Sequence, residues 1–292
     1  MELSISIPPD NEGYTGRECP ECKKYFKIKF GTGIDGDVPC HCPYCNHTGS
    51  QEEFWTAAQI EYAESVAIQK ISGDLLKSLK KLERKPNRND FISIGITVKG
   101  NPTPITYYSE KELEEKVTCS NCTLEYTIYG TFGYCPDCGI HNSQQILFAN
   151  FESVIKMLEL AKNADDDIAQ RMIENCLEDA VSVLDGYGRE CTGKAGKIIS
   201  FQNISGANKN LQDNFGIDIS ISLSSDDWQF VINQFQKRHV LSHKMGVIDD
   251  EYIKKTNGNP ATIGRKVKVD SDDVVKLIDV LKSISNHIQS IL

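Results

Sequence analysis

Two groups of residues in this sequence have the types and spacing to do chemistry. The first is cysteine: of eleven cysteines, nine lie between positions 19 and 138. Eight of them fall into two quartets, each built from two Cys-x-x-Cys pairs. Cys19 and Cys22 go with Cys42 and Cys45, and Cys119 and Cys122 with Cys135 and Cys138. A pair at this spacing makes a tight turn that aims two thiolates at one ion, and two such turns complete a tetrahedron. Two structural Zn2+ ions are expected, with iron the main competitor for a four-sulfur site. Four thiolates leave no open coordination position, so neither site is expected to be catalytic. Cys40, His41 and His47 crowd the first site and could replace a ligand there. Cys42 is preferred over Cys40 because it preserves the two-residue knuckle. The second group is Arg238, His239 and His243, which holds two of the six histidines within five residues. Histidine supplies an acid or base near neutral pH. Arginine supplies a planar cation that grips phosphate through two hydrogen bonds.

Both quartets resemble zinc ribbons. The resemblance rests on Cys19-Pro20-Glu21-Cys22 with Cys42-Pro43-Tyr44-Cys45, and on Cys135-Pro136-Asp137-Cys138-Gly139. Between the pairs, residues 25–30 and 126–129 alternate as short strands should. Glycines 31, 33, 36, 130 and 133 punctuate turns. Such ribbons hold together fragments too small to fold alone. They could also recognise nucleic acid or a partner protein.

The stretch Arg238-His239-Val240-Leu241-Ser242-His243, followed by Lys244-Met245-Gly246-Val247-Ile248-Asp249-Asp250, resembles the catalytic motif of the HEPN superfamily. That motif is an arginine, four to six residues and a histidine, with a polar residue directly after the arginine. The resemblance covers 146–292 when the surrounding helices are included. It implies a metal-independent endoribonuclease, with RNA as substrate and no metal in the catalytic site. It further implies a homodimer, a toxin or defence-effector role, and an antitoxin or activator protein as partner. RNA can be cut without metal when its 2′-OH attacks the adjacent phosphate, leaving a 2′,3′-cyclic phosphate and a 5′-OH. His243 would be the general base or acid, and Arg238 would stabilise charge building on the phosphate. His239 would support, by orienting His243 or touching substrate. Residues five apart on an ideal helix point about 140° from each other. Arg238 and His243 therefore share a site only if the helix bends or ends, or if the long arginine reaches around. A two-fold dimer would also bring four catalytic groups together.

Other readings of the same residues stay open. His239 continues the apolar stripe of Trp228, Val231, Ile232 and Phe235 and fits a hydrogen-bonded histidine at the core edge. His239 and His243 at i, i+4 could bind a metal, but no H-E-x-x-H motif is present. The rival function is a non-catalytic adaptor, whose ribbons grip nucleic acid or a partner and whose helical domain dimerises.

The elements that must position these residues follow from periodicity. A helix is expected over 52–85, ending in Lys77, Lys80, Lys81, Arg84, Lys85 and Arg88, the densest basic run in the chain. That run fits a helix C-terminus or phosphate contact. Pro86-Asn87 should end the helix; a strand over 91–98, followed by residues 105–108, and a short charged helix over 109–116 should come next. Beyond residue 146 the pattern becomes helical: 146–162, then 168–184 stopped by Gly186-Tyr187-Gly188, then 194–213. Two more helices start at the capping clusters Ser224-Ser225-Asp226-Asp227 and Ser271-Asp272-Asp273. The fold class is α+β multidomain: small zinc-ribbon β modules with a connecting helix, then an all-α HEPN-like bundle of about five helices. The expected boundaries are 1–51 for the first ribbon, 52–118 for the connecting segment, 119–145 for the second ribbon and 146–292 for the helical domain.

Composition agrees with a globular chain of 292 residues, 39% apolar and 25% charged. The net charge of −9 argues against coating nucleic acid or an anionic membrane with the whole surface. No signal peptide or spanning segment is legible. A cytoplasmic location with no membrane partner is expected, where thiols stay reduced and bind metal.

Overall fold

The computed structural model describes residues 5–83, 96–113 and 115–291. The chain divides into two compact units, Met1–Asn142 and Ser143–Leu292, in an α+β layout.

The first unit contains β1 (Tyr14–Glu18), β2 (Tyr25–Lys29), β3 (Cys40–His41), β4 (Thr48–Gly49), α1 (Ala57–Lys80), β5 (Glu115–Thr118) and β6 (Glu125–Ile128). Four strands make one antiparallel sheet in the order β1-β2-β6-β5, and β3 and β4 make a small second one. The large sheet joins the two cysteine modules edge to edge. Lys27 of β2 pairs with Thr127 of β6, and Ile28 with Tyr126. An approximate two-fold axis therefore runs between the inner strands and relates each module to the other. The inner strands are buried on both faces, so β2 reads as continuous burial rather than alternation. Lys27 is covered with them, its ammonium held 2.6 Å from the Asp10 carboxylate. One apolar cluster containing Phe26, Ile28, Phe54, Leu124, Tyr126 and Ile128 serves both modules. Neither would bury enough alone.

Around this sheet the structure corrects several expectations. The connecting helix starts at Ala57 rather than residue 52. Thr56 caps it, accepting from the Gln59 amide at 3.1 Å while its own amide donates to the Gln59 side chain at 3.0 Å. Residues Gln51–Phe54 form a separate 3-10 turn that sends Phe54 into the core. Residues 109–113 form no helix, and Glu115–Thr118 is a strand. The cause is tertiary. Pairing with β6 claims the strand, and the Glu110 carboxylate is drawn inward to the Gly16 amide at 2.6 Å and to the Tyr25 hydroxyl. Residues 105–108 join no sheet; the Thr106 amide donates to Ser65 Oγ of α1 instead. Arg84, Lys85, Arg88, Pro86-Asn87 and most of the expected 91–98 strand lie outside the described residues.

The second unit is helical: α2 (Ser143–Ala161), α3 (Asp166–Lys194), α4 (Ile204–Phe215), α5 (Ser225–Lys244), α6 (Asp250–Thr256) and α7 (Ser271–Ile291). Its main core cluster includes Phe151, Leu177, Leu184, Phe201, Phe235 and Leu281. Gly186-Tyr187-Gly188 does not stop α3. Gly188 is instead a packing contact, because the Phe201 ring occupies the space where a Cβ would stand. Tyr187 is buried and donates to the Ser285 carbonyl at 3.0 Å. The expected 194–213 helix is likewise split. Positive φ at Gly196 (101°) turns the chain out of α3, and Asn203 caps α4. Among the described residues no helix is long and apolar enough to cross a membrane.

Candidate functional site

Each cysteine quartet forms a cluster whose sulfurs all lie within 4.8 Å of one another. Cys19 and Cys45 are 3.6 Å apart, Cys22 and Cys42 3.6 Å, Cys119 and Cys138 3.6 Å, and Cys122 and Cys135 3.4 Å. Zinc–thiolate bonds of about 2.3 Å in a tetrahedron set sulfurs about 3.8 Å apart, so both clusters fit a four-coordinate ion of that size. Local backbone makes this possible. Each leading knuckle closes through a left-handed residue, Lys23 (φ 56°) and Thr123 (φ 64°). Their amides donate to Cys19 and Cys119 carbonyls at 3.0 Å. The trailing knuckles repeat this with Asn46 and Gly139.

Cys42, not Cys40, completes the first cluster. Cys40 is buried on β3, and burial pushes its thiol up to about 12, with the Arg17 guanidinium acting in the opposite direction. His41 bonds to Thr48 Oγ1 at 2.9 Å and the His47 ring packs near Phe54; neither belongs to the cluster. The knuckles also interlock. The His41 amide donates to the Pro136 carbonyl at 2.7 Å, and the Tyr134 amide to the Pro43 carbonyl at 2.9 Å. Each trailing Cys-Pro-x-Cys turn thus receives a hydrogen bond from the residue preceding its counterpart.

In the helical unit, Arg238, His239 and His243 line one cleft of about 490 Å³, together with Gln202, Asn203, Phe235, Gln236 and Lys255. The α5 helix continues unbroken through Lys244, and Arg238 and His243 both line the cleft from it. Val231 and Phe235 anchor α5 in the core. His239 is half-buried and His243 exposed. Their ring centroids are 5.0 Å apart with a 53° tilt. Burial lowers the His239 pKa, and the nearby His243, Lys244 and Lys255 lower it further. Arg238 Nε is buried and has no hydrogen-bond partner among the described residues. Such a donor is costly unless a ligand satisfies it.

Sequence reasoning missed the other wall of the cleft. Buried Asp185 of α3 accepts from Arg189 Nε at 2.8 Å, Ser200 Oγ at 3.0 Å, the Phe201 amide, and Gln202 Nε2 at 3.1 Å. Burial alone would raise its pKa, but these donors hold it below the usual carboxylate value. One carboxylate thus fixes the loop that presents Gln202 and Asn203. Asn203 is also the N-cap of α4, so the positive end of that helix dipole opens beside the cleft. Lys255 comes from α6, where it pairs with Glu251 at 2.8 Å. Lys244 is engaged with Asp249 and Glu251. The one visible signal was the Asp185/Arg189 spacing at i, i+4. Compared with known proteins, the chain matches no family model, no curated protein and no solved structure.

Proposed function

We propose that this chain is a metal-independent endoribonuclease of the HEPN type, stiffened by two structural zinc sites. The observation that carries this reading is the convergence of Arg238, His239 and His243 on one cleft, with the Arg238 Nε buried and unpartnered. A guanidinium with a free donor, beside histidines and a helix N-terminus, suits a phosphodiester whose charge grows during reaction. The 2′-oxygen forms a bond to phosphorus and the bond to the 5′-oxygen breaks. His243 takes the 2′-OH proton, and in a homodimer a second motif returns one to the leaving 5′-oxygen. The ends are a 2′,3′-cyclic phosphate and a 5′-OH. A lowered pKa keeps His239 neutral near pH 7, as suits a group that orients His243 or accepts a substrate hydrogen bond.

The closed four-thiolate clusters suit zinc in a structural role, with no position free for substrate. Thiols kept reduced to hold metal suit a cytoplasmic location. The resemblance of Arg238–His243 to the HEPN motif supports a toxin or defence-effector role, with an antitoxin or activator as partner. The test is incubation of the zinc-loaded protein with total RNA without added divalent ions. Cleavage with phosphatase-resistant 3′ ends, lost in Arg238→Ala and in His243→Ala, supports the enzyme. Intact RNA, with and without candidate activators, supports the adaptor reading instead.

A further inference from the structure

We propose that Gln202 selects the base of the nucleotide held in the cleft, taking an amino base, adenine or cytosine, over guanine or uracil. This rests on the reading of the cleft as an RNA site, and its test separates the two.

A glutamine amide has an acceptor on one side and donors on the other, and a half-turn of its end exchanges them. Gln202 cannot make that turn. Its Nε2 donates to Asp185 Oδ2 at 3.1 Å. Asp185 is 7% exposed. Its two oxygens also take Arg189 Nε at 2.8 Å, Ser200 Oγ at 3.0 Å and the Phe201 amide. Burial works against the charge, but those donors hold the pKa below its ordinary value, so near neutral pH Asp185 has no proton to give. Turning Gln202 over would set Oε1 against Asp185 Oδ2, an acceptor facing a buried anion. The amide is locked with Nε2 on Asp185 and Oε1 away from it. Among the described residues Oε1 has no hydrogen-bond partner.

The next residue is locked in the opposite sense. Asn203 Oδ1 accepts from the Gly206 amide at 3.2 Å as the cap of α4, which leaves Nδ2 as a donor. Gln202, Asn203 and Arg238 line the same cleft of about 490 Å³, within the roughly 300–1,000 Å³ of small-ligand sites. The loop thus offers one acceptor, Gln202 Oε1, with the second Nε2 hydrogen and Asn203 Nδ2 as donors. Phosphate oxygens only accept, so they gain nothing from Oε1; contacts of this kind read base edges. Adenine and cytosine carry an exocyclic amine beside a ring-nitrogen acceptor, which matches an acceptor beside donors. Guanine and uracil carry a carbonyl in place of the amine, and it would set oxygen against oxygen. Glutamine on adenine is a recurring pairing, and unstacked bases of single-stranded RNA expose these edges.

Equilibrium binding of the zinc-loaded full chain to short 2′-fluoro oligonucleotides, which lack the attacking hydroxyl, tests this. An adenosine oligomer is compared with its purine-riboside counterpart, which lacks the N6 amine, and a cytidine oligomer with a uridine one. The amine-bearing member of each pair should bind about tenfold tighter or more. In Gln202→Met that ratio should fall to near one. Asp185→Asn, which frees the amide to turn, should narrow it. Equal affinities within both pairs in the wild type overturn the proposal, as does a ratio unchanged in Gln202→Met. An equal loss for every base in Gln202→Met assigns Oε1 to a ribose hydroxyl and also overturns it. Cleavage of the matching ribo-oligomers is followed in parallel. Amine preference without cleavage removes the endoribonuclease reading and supports this one; cleavage without preference does the reverse. Absence of binding to any oligomer overturns base selection.

Discussion

Gly186 and Gly188 lie two residues apart in α3, and alanine at the two positions should have opposite effects. Alanine in a helix interior is favoured over glycine by about 1 kcal/mol. At Gly186, which is exposed, a Cβ meets nothing within 4 Å, so Gly186→Ala should stabilise by about 0.5–1 kcal/mol. At Gly188 a Cβ would stand 2.3 Å from Phe201 Cδ2 and Cε2, against a comfortable separation of about 3.5–4.0 Å. Phe201 is fully buried, so the ring cannot swing into solvent. Overpacking of this kind costs about 1–3 kcal/mol, which outweighs the propensity gain. The net expectation for Gly188→Ala is a loss of about 1–2 kcal/mol. That corresponds to a melting point about 3–6 °C lower for a unit of this size. Because Phe201 precedes Gln202 and Asn203, its displacement should also lower the proposed activity at the cleft. Thermal unfolding of the metal-loaded protein, followed by far-ultraviolet circular dichroism, reads both variants. If both glycines respond with the same sign, the packing role assigned to Gly188 is wrong.

Two further perturbations probe the cleft wall and the metal clusters. Asp185→Asn should destabilise the helical unit by about 1–3 kcal/mol, because the amide turns a donor toward donors. Since the Asp185 carboxyl is held below its ordinary value of 3.8, its stabilisation is fully present above that value. It is lost as pH falls through the lower folded-state pKa. The difference between wild type and Asp185→Asn should therefore shrink only in acid, and a constant difference down to pH 2 would contradict this assignment. Cys42→Ser should reduce bound metal from two ions to one per chain, while Cys40→Ser retains two; elemental analysis after gel filtration distinguishes them, and loss of an ion in Cys40→Ser would sink the ligand assignment.

The cysteine quartets were legible in the sequence because a two-residue knuckle is a local structure: its turn, its left-handed residue and its two sulfurs all lie within five positions. The caps were legible for the same reason. Ser224 accepts from the Asp227 amide at 3.1 Å, and Gly216 ends α4 at φ 68°. Local reasoning failed where a partner distant in sequence decided the outcome. Gly188 looked like a helix stop until Phe201 filled the space beside it. Residues 109–116 looked helical until β6 claimed Glu115 and Lys116 and Gly16, Gln59 and Tyr25 claimed Glu110. Crowding near the second knuckle of the first site left Cys40, His41 and His47 as rival ligands, and the pairing of β3 with β4 turned Cys40 into the core.

By itself, then, the sequence determined which residues carry chemistry: eight thiols at knuckle spacing, and an arginine with two histidines near the end of one helix. Only tertiary structure decided what they form. It joined two cysteine modules through β2 and β6 into one sheet with one core, because each has too little apolar surface to bury alone. Arg238, His239 and His243 line one cleft because the loop entering α4 brings Gln202 and Asn203, and α6 brings Lys255, to the rest of its wall. Side chains about 140° apart on a helix share this cleft through walls that come from elsewhere in the chain, which local sequence does not show.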